Sequence, residues 1–404
     1  MTDRPPRPAD TYSPLYFLAS LGAGGLVVTF FMYLMFWVPH PGRPVPIFED
    51  VVAAFGTGGP LMQAAIVVAL AGIAGMAFLN IKSLVWNIGA LRAFMKTDRY
   101  AALCRTNGET TLLAAPLASA MTINVGFILG LVFVPGLWGV VEYLFPLALL
   151  AFLALGVWAF RLIGRFLGRV LTQGGVFDVT AHNSFAQLLP AFAVAMVGVG
   201  LAAPAAMSTN TLTVGVSLVL STFFGVTAII YTLVAAITGF NSMLHHGTAK
   251  EAGPTLMVIV PIVTVLGILF LRQHHGLHVA FGTPEGAGGT LIFLSRLLAV
   301  EILFLALGLL VLTRQGYWAE FIAGDKASAG SYALICPGVA FAVMMHFFIN
   351  KGLVGAGVIA KFGPAFWGLT GIALLSQVAM IWLVLRLNRK HFTPRGTPAP
   401  VPAE

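Results

Sequence analysis

The thiol of Cys336 stands out in this chain. It lies in the apolar stretch SYALICPGVAFAVMMHFFIN, directly before Pro337. A proline inside a helix frees a backbone carbonyl. A thiol beside it, facing a path, could meet a soft or redox-active substrate such as a sulfur or selenium oxyanion. The plainer reading is a small buried hydrophobe, a common fate of cysteine, and no cation adjoins it in sequence to favour the thiolate. Phe341 follows on the same stretch, then His346 and Asn350. His346 and Asn350 share a face at i, i+4. They could line a mouth and donate to an anion, or form a helix-end pair at the membrane interface. An ionisable group inside a membrane is a functional candidate by default.

Other chemistry-bearing residues are scattered. Arg296 and Glu301 lie five apart in one apolar run, so they do not share a helix face. Each needs a partner on another helix or must reach an interface. Asn124, with Thr122, sits in AMTINVGF, placed either to bond a neighbouring helix or to line a path. Glu142 reads as interfacial. His274, His275 and His278 (HHGLH) read as a solvated loop, with Gly276 weakening any helical metal pair, and His245 and His246 read the same way. Cys104 reads as a free thiol in a basic loop. Arg161, Arg165 and Arg169 recur every four residues in a stripe suited to anionic headgroups.

The elements that must position these residues are membrane spans. Of 404 residues, 58% are hydrophobic and 9% charged, with mean hydropathy +0.93. A soluble surface needs about a quarter charged residues. The net charge of +8 lies in short loops, where orientation explains it better than nucleic-acid binding does. At about 20 apolar residues per span, ten spans are expected: 14–38, 61–85, 109–133, 137–160, 183–205, 211–238, 253–272, 288–312, 330–350 and 362–387. The expected domains are an N-terminal tail (1–13), one ten-helix domain (14–387) and a Pro-rich tail (388–404). Sixteen Lys and Arg fall on the side of the termini and four on the other, so both termini are expected in the cytoplasm. Tight links at 135–138 and 208–211 pair the spans into hairpins.

Four prolines, Pro116, Pro190, Pro261 and Pro337, recur at gaps of 74, 71 and 76 residues, all on odd spans. Each is expected to kink its helix at a cost of roughly 3 kcal/mol, which a membrane protein tolerates where a helix faces a cavity. The first span has Gly22, Gly24 and Gly25 instead. Among even spans only the fourth has an internal proline, Pro146. The fold class expected is therefore an all-α polytopic membrane protein: five hairpins, an inner ring of odd helices bent at Pro or Gly, and an outer, lipid-facing ring of even helices.

That architecture resembles the tellurite-resistance/dicarboxylate transporter family, which includes TehA, plant slow anion channels and fungal malate and sulfite exporters. SPLYFLASLGAGGL is similar to the family's first helix, NSFAQLLPAFAVAMVGVGLA to its fifth, GPTLMVIVPIVTVLGILF to its seventh and SYALICPGVAFAVMM to its ninth. The chain also resembles the TsoY-type branch, some of whose members carry selenocysteine. The resemblance implies a five-fold pseudosymmetric pore in each protomer, anion selectivity, a homotrimer and an aromatic plug on the ninth helix near its proline. Here Cys336 precedes Pro337, and the nearest phenylalanine on that helix is Phe341. Either Phe341 or another aromatic closes the pore, or Cys336 has its own role.

The function expected is passage of small anions, inorganic oxyanions or small carboxylates, through a bacterial inner-membrane protein. Pore or gate candidates are Cys336, Pro337, Phe341, His346, Asn350, Pro116, Asn124, Pro190, Pro261, Gly22, Gly24 and Gly25. The partners expected are the anion, membrane lipid and two further copies, with no nucleic acid, metal or cofactor. The alternative is a membrane redox subunit, or a thiol- or selenium-linked protein using Cys336 with quinol or a sulfur or selenium compound. Bis-His haem needs histidines on facing helices; only His346 lies clearly in a span, with His182 at the edge of another. An enzyme is not expected, since H-E-x-x-H, G-x-S-x-G and an in-span carboxylate pair are missing.

Overall fold

Backbone polar groups in lipid must be satisfied within the chain, so long apolar runs become helices. The computed structural model describes residues 11–174, 177–180, 183–284 and 286–392, and no strand occurs among them. Ten helical runs are long and apolar enough to span a membrane: α1 (Pro14–Trp37), α2 (Pro60–Phe94), α3 (Asn107–Phe133), α4 (Leu137–Gln173), α5 (Ala186–Met207), α6 (Thr211–His246), α7 (Lys250–Phe281), α8 (Ala287–Arg314), α9 (Ala329–Val354) and α10 (Pro364–Phe392). With ten spans, the first and last described residues share one face. The Tyr16 hydroxyl and His391 Nδ1, 3.0 Å apart, tie those ends together. We call this the terminal face and its opposite the far face. Most of the two expected tails, with Arg4, Arg7 and Arg395, lies outside the described residues, as does His182. The first residues assigned to the C-terminal tail continue α10 as helix to Phe392.

Odd and even helices differ sharply in burial. The apolar windows of α1, α3, α5, α7 and α9 are 61–100% buried, and those of α2, α4, α6, α8 and α10 are 22–33% buried. The odd helices form a closed ring in which α1 packs on α3, α3 on α5, α5 on α7, α7 on α9, and α9 back on α1. Each even helix lies outside, against its own hairpin partner and the next odd helix. Large apolar residues such as Phe78, Leu147, Phe223, Leu303 and Leu375 stand exposed on the even helices. With lipid as solvent, that exposure carries no hydrophobic penalty.

The prolines do not kink the middles of α-helices. Every odd helix opens as a 3₁₀ segment, at Pro14–Tyr16, Asn107–Leu113, Ala186–Leu188, Lys250–Met257 and Ala329–Leu334, and then continues as α-helix. Pro116, Pro190, Pro261 and Pro337 fall at the second or third residue of the α part. The reason is hydrogen-bond register. Where i→i−3 bonding gives way to i→i−4, the last 3₁₀ donor and the first α donor aim at the same carbonyl. At Pro190 that first α donor position is the proline itself; Pro116, Pro261 and Pro337 stand one or two residues further on, still in the first turn of the α part, where no carbonyl four residues back belongs to that part. In α7 the Val258 N–H bonds Thr255 O and the Ile262 N–H bonds Val258 O, on either side of Pro261. The prolines thus fix the point of register change at little cost.

Hydroxyl caps open four of the five 3₁₀ segments. Ser13, Thr106, Ser184 and Ser328 each accept from a backbone N–H two residues on. The segment 107–113 is anchored further by Glu109, which is buried and takes Arg165 Nε at 2.5 Å and Arg169 Nη2 at 2.9 Å. Those arginines stand on the long terminal-face extension of α4. The helix continues as expected, but two of the three stripe arginines are engaged by protein, so the stripe is not a free headgroup site. Cys104 lies 3.6 Å from Arg165 Nη2.

Candidate permeation site

The closed ring of odd helices encloses a cavity of about 270 Å³ lined by all five of them. A second cavity of about 760 Å³ lies at the far face, and Met35, Pro44, Ala206, Met207, His275 and Lys351 line both. The two form one blind lumen reached from the far face. Its floor is at Gly22, Pro261 and Cys336. Toward the terminal face Leu18, Leu113, Leu189, Met257 and Leu334, one from each odd helix, are buried in a single core cluster. Polar bonds seal the end beyond them: Gln187 Nε2 donates to Asn107 O, and Tyr332 Oη donates to Asn388 Oδ1.

The wall is apolar with polar groups stepped along it. Thr264 stands three residues past Pro261, about 5 Å up the helix axis at 1.5 Å per residue, and Arg272 stands eleven past it, about 16 Å up. Asn124 projects from α3, and its Nδ2 faces the Met196 sulfur at 3.8 Å. Half-buried Arg272 donates from Nη1 to the Val199 carbonyl on α5 at 2.6 Å. No ion pair to Arg272 occurs among the described residues. Lys351 reaches the lumen from the π-helical turn Phe348–Val354 that ends α9. His40, Arg43, His275 and Lys361 line the outer cavity. Among the described residues no carboxylate lines either cavity.

Nearby acids are committed elsewhere. Asp50 pairs with Arg43 and accepts from the Ile47 N–H. That partner holds the Arg43 guanidinium above its ordinary range. Glu142 accepts from Ser208 Oγ at 2.7 Å and from the Thr209 N–H at 2.6 Å, closing the α5–α6 turn. Burial pushes the Lys361 ammonium down, and its Nζ lies 5.1 Å from the Phe362 ring centroid. The positive lining left without an acidic partner among the described residues is therefore Arg272, Lys351 and Lys361.

The expected site residues divide between wall and packing. Gly22, Gly25, Asn124, Pro261 and Cys336 line the inner lumen, and Asn350 lines the outer cavity. Gly24 packs instead, since a Cβ there would meet Met121 Cγ at 2.5 Å. Pro116, Pro190 and Pro337 set register behind the wall. Phe341 is half-buried against the α1–α9–α10 side of the core and does not line the lumen; Phe31, Phe127, Phe192 and Phe347 do. His346 also faces away, with its ring 5.8 Å from Tyr33. Tyr33 Oη in turn donates to Gln377 Oε1 on α10.

The expectation missed Arg272, which it counted with the residues of the far side at the end of the 253–272 span. The helix runs on to Phe281, so Arg272 and His275 occupy its lumen face and HHGLH is helical. Gly276 belongs in this helix because a Cβ there would sit 2.4 Å from the Ala205 carbonyl oxygen. The i, i+3 spacing of Arg272 and His275 was the available signal.

Glu301 is fully buried and bonds Thr264 across α7 and α8, the cross-helix partner its sequence position required. Arg296 is exposed on the outer ring, as is Lys82, whose Nζ lies 5.9 Å from the Phe78 ring centroid. Among the described residues no three His, Cys, Asp or Glu side chains converge as metal ligands. Comparison with family models, curated proteins and solved structures returned no match for this chain.

Proposed function

We propose that this multi-pass membrane protein passes small anions through the lumen enclosed by its odd helices. The supporting observation is the lining itself: among the described residues Arg272, Lys351 and Lys361 have no acidic partner and no carboxylate lines either cavity. A narrow low-dielectric channel focuses the field of such charges, attracting anions and rejecting cations. A mostly apolar wall with few charges binds weakly enough to let an anion leave. The resemblance to the tellurite-resistance/dicarboxylate transporter family supports the same reading, and with it a homotrimer in a bacterial inner membrane with both termini cytoplasmic. The blind floor corresponds to a closed state. Leu18, Leu113, Leu189 and Leu334 form its barrier, a hydrophobic constriction of the kind that excludes water.

The test is flux of chloride, nitrate, sulfite and dicarboxylates into proteoliposomes, for wild type and for Leu113→Ala with Leu334→Ala. Anion uptake above protein-free vesicles is expected, rising in the double variant. No flux of any anion in either protein would sink the proposal.

A further inference from the structure

Glu301 is a buried carboxyl that the anion path does not explain. It stands on an outer-ring helix but turns inward, and it is fully buried. Its only hydrogen-bond partner among the described residues is Thr264, 2.5 Å from Oε1, and Oε2 has none. Thr264 lines the lumen. The carboxyl is therefore separated from the anion path by a single hydroxyl.

The titratable and charged groups around it do not neutralise it. On its own helix are Arg296 and Arg314, both exposed on the outer face. The packed neighbours are α7, α9, its terminal π turn and the 3₁₀ start of α7. They carry Arg272, His274, His275 and His278; Cys336 and His346; Lys351; and Lys250 with Glu251. Among the described residues Glu301 is ion-paired to none of these and hydrogen-bonds only to Thr264.

The Thr264 hydroxyl has one proton and two acceptors in reach: Glu301 Oε1, and Val260 O at 3.1 Å. Two arrangements fit the geometry, and they differ by one proton. In one, an ionised Glu301 accepts from Thr264. In the other, a protonated Glu301 donates to Thr264, which donates on to Val260 O. The second satisfies every proton in the group. The first leaves a charge with one donor and no cation, a costly state inside a membrane.

We propose that Glu301 is a proton-binding site in the lumen wall, and that anion movement carries one proton on and off this carboxyl. The proposal rests on the lumen being an anion path. The proton comes from a hydronium ion, or from the conjugate acid of the anion, in the lumen. It binds Thr264 Oγ1 as Thr264 passes its own hydroxyl proton to Glu301 Oε1, and release reverses these transfers. Co-movement of one proton with one monovalent anion is electroneutral. The lumen then acts as a carrier rather than a free channel.

The experiment is nitrate uptake into proteoliposomes containing a trapped pH dye, with membrane potential clamped. Wild type is expected to acidify the interior by one proton per nitrate. Glu301→Gln keeps the side-chain shape and is expected to lose at least tenfold of the acidification while nitrate still enters. Nitrate uptake by wild type without acidification would overturn the coupling and leave the anion path standing. Absence of nitrate uptake, with none of the other anions taken up, would overturn both. Unchanged acidification in Glu301→Gln would overturn the assignment to this residue. Infrared difference spectra on adding nitrate give a readout independent of transport. A protonated-carboxyl band that responds to nitrate and is missing in Glu301→Gln is expected, and an identical band in the variant would contradict the proposal.

Discussion

Replacing Arg272 with Gln should weaken anion occupancy of the lumen by one to two orders of magnitude. The guanidinium lies in the wall with no acidic partner among the described residues, and its bond to Val199 O can be kept by a glutamine amide. An anion about 5 Å from it at an effective dielectric of 20–40 gains about 1.5–3 kcal/mol. That corresponds to roughly 10- to 150-fold in binding. The loss should appear at low anion concentration as a raised half-saturating concentration, with less change at saturation. Arg272→Lys keeps the charge and should stay within a few fold of wild type. Nitrate uptake across a concentration series for the three proteins provides the assay, with thermal melting in detergent as a check on folding. Arg272→Gln within twofold of wild type at low nitrate would refute the electrostatic argument. So would Arg272→Lys damaged as severely as Arg272→Gln, because the role would then be packing.

Further outcomes follow from packing and register. Pro337→Ala should change stability by less than about 1 kcal/mol, rather than the roughly 3 kcal/mol of a mid-helix proline, as read from thermal melting. Gly200→Ala should destabilise by about 1–3 kcal/mol, because its Cβ would lie 2.2 Å from buried Phe152. Glu109→Ala should cost about 2–3 kcal/mol, below the usual range for a broken buried pair because Arg165 is half-exposed, and limited proteolysis should show the 107–113 segment loosened. Lys250 and Lys326 hold the Glu320 carboxylate below its ordinary range. That contribution is present above the ordinary carboxylate pKa and is lost as pH falls through the depressed folded value. Glu320→Gln should therefore flatten the acid limb of the melting profile and leave the limb above neutrality unchanged.

Much of the fold was legible because lipid imposes few choices. Apolar runs of span length had to be helices, and internal proline on four odd spans against one even span pointed to two classes of helix, which the burial contrast between the rings bears out. The meaning of the prolines was not legible. A proline in a span reads as a kink unless the 3₁₀ segment before it is known, and the hydroxyls that cap those segments, Ser13, Thr106, Ser184 and Ser328, are common residues in unremarkable contexts. The lumen was half legible. Gly22, Gly25, Asn124, Pro261 and Cys336 were found because helix interiors need a reason to be small, polar or broken. Arg272 was missed because a window of about 20 residues ends a span at the first charge. A lumen lets a helix carry a charge past that point. Phe341 was chosen for its nearness to Pro337 in sequence, but the rotation of α9 turns it away from the lumen.

The most direct test of the anion path is the sign of the reversal potential across a bilayer holding the protein, under a salt gradient, with Leu113→Ala and Leu334→Ala opening the floor and Glu301→Gln removing the proton site. A potential close to the equilibrium value for the anion is expected, moving toward zero when Arg272→Gln is added. A potential on the cation side would contradict the account, because the charges left without an acidic partner in the described lumen wall, Arg272, Lys351 and Lys361, are all positive.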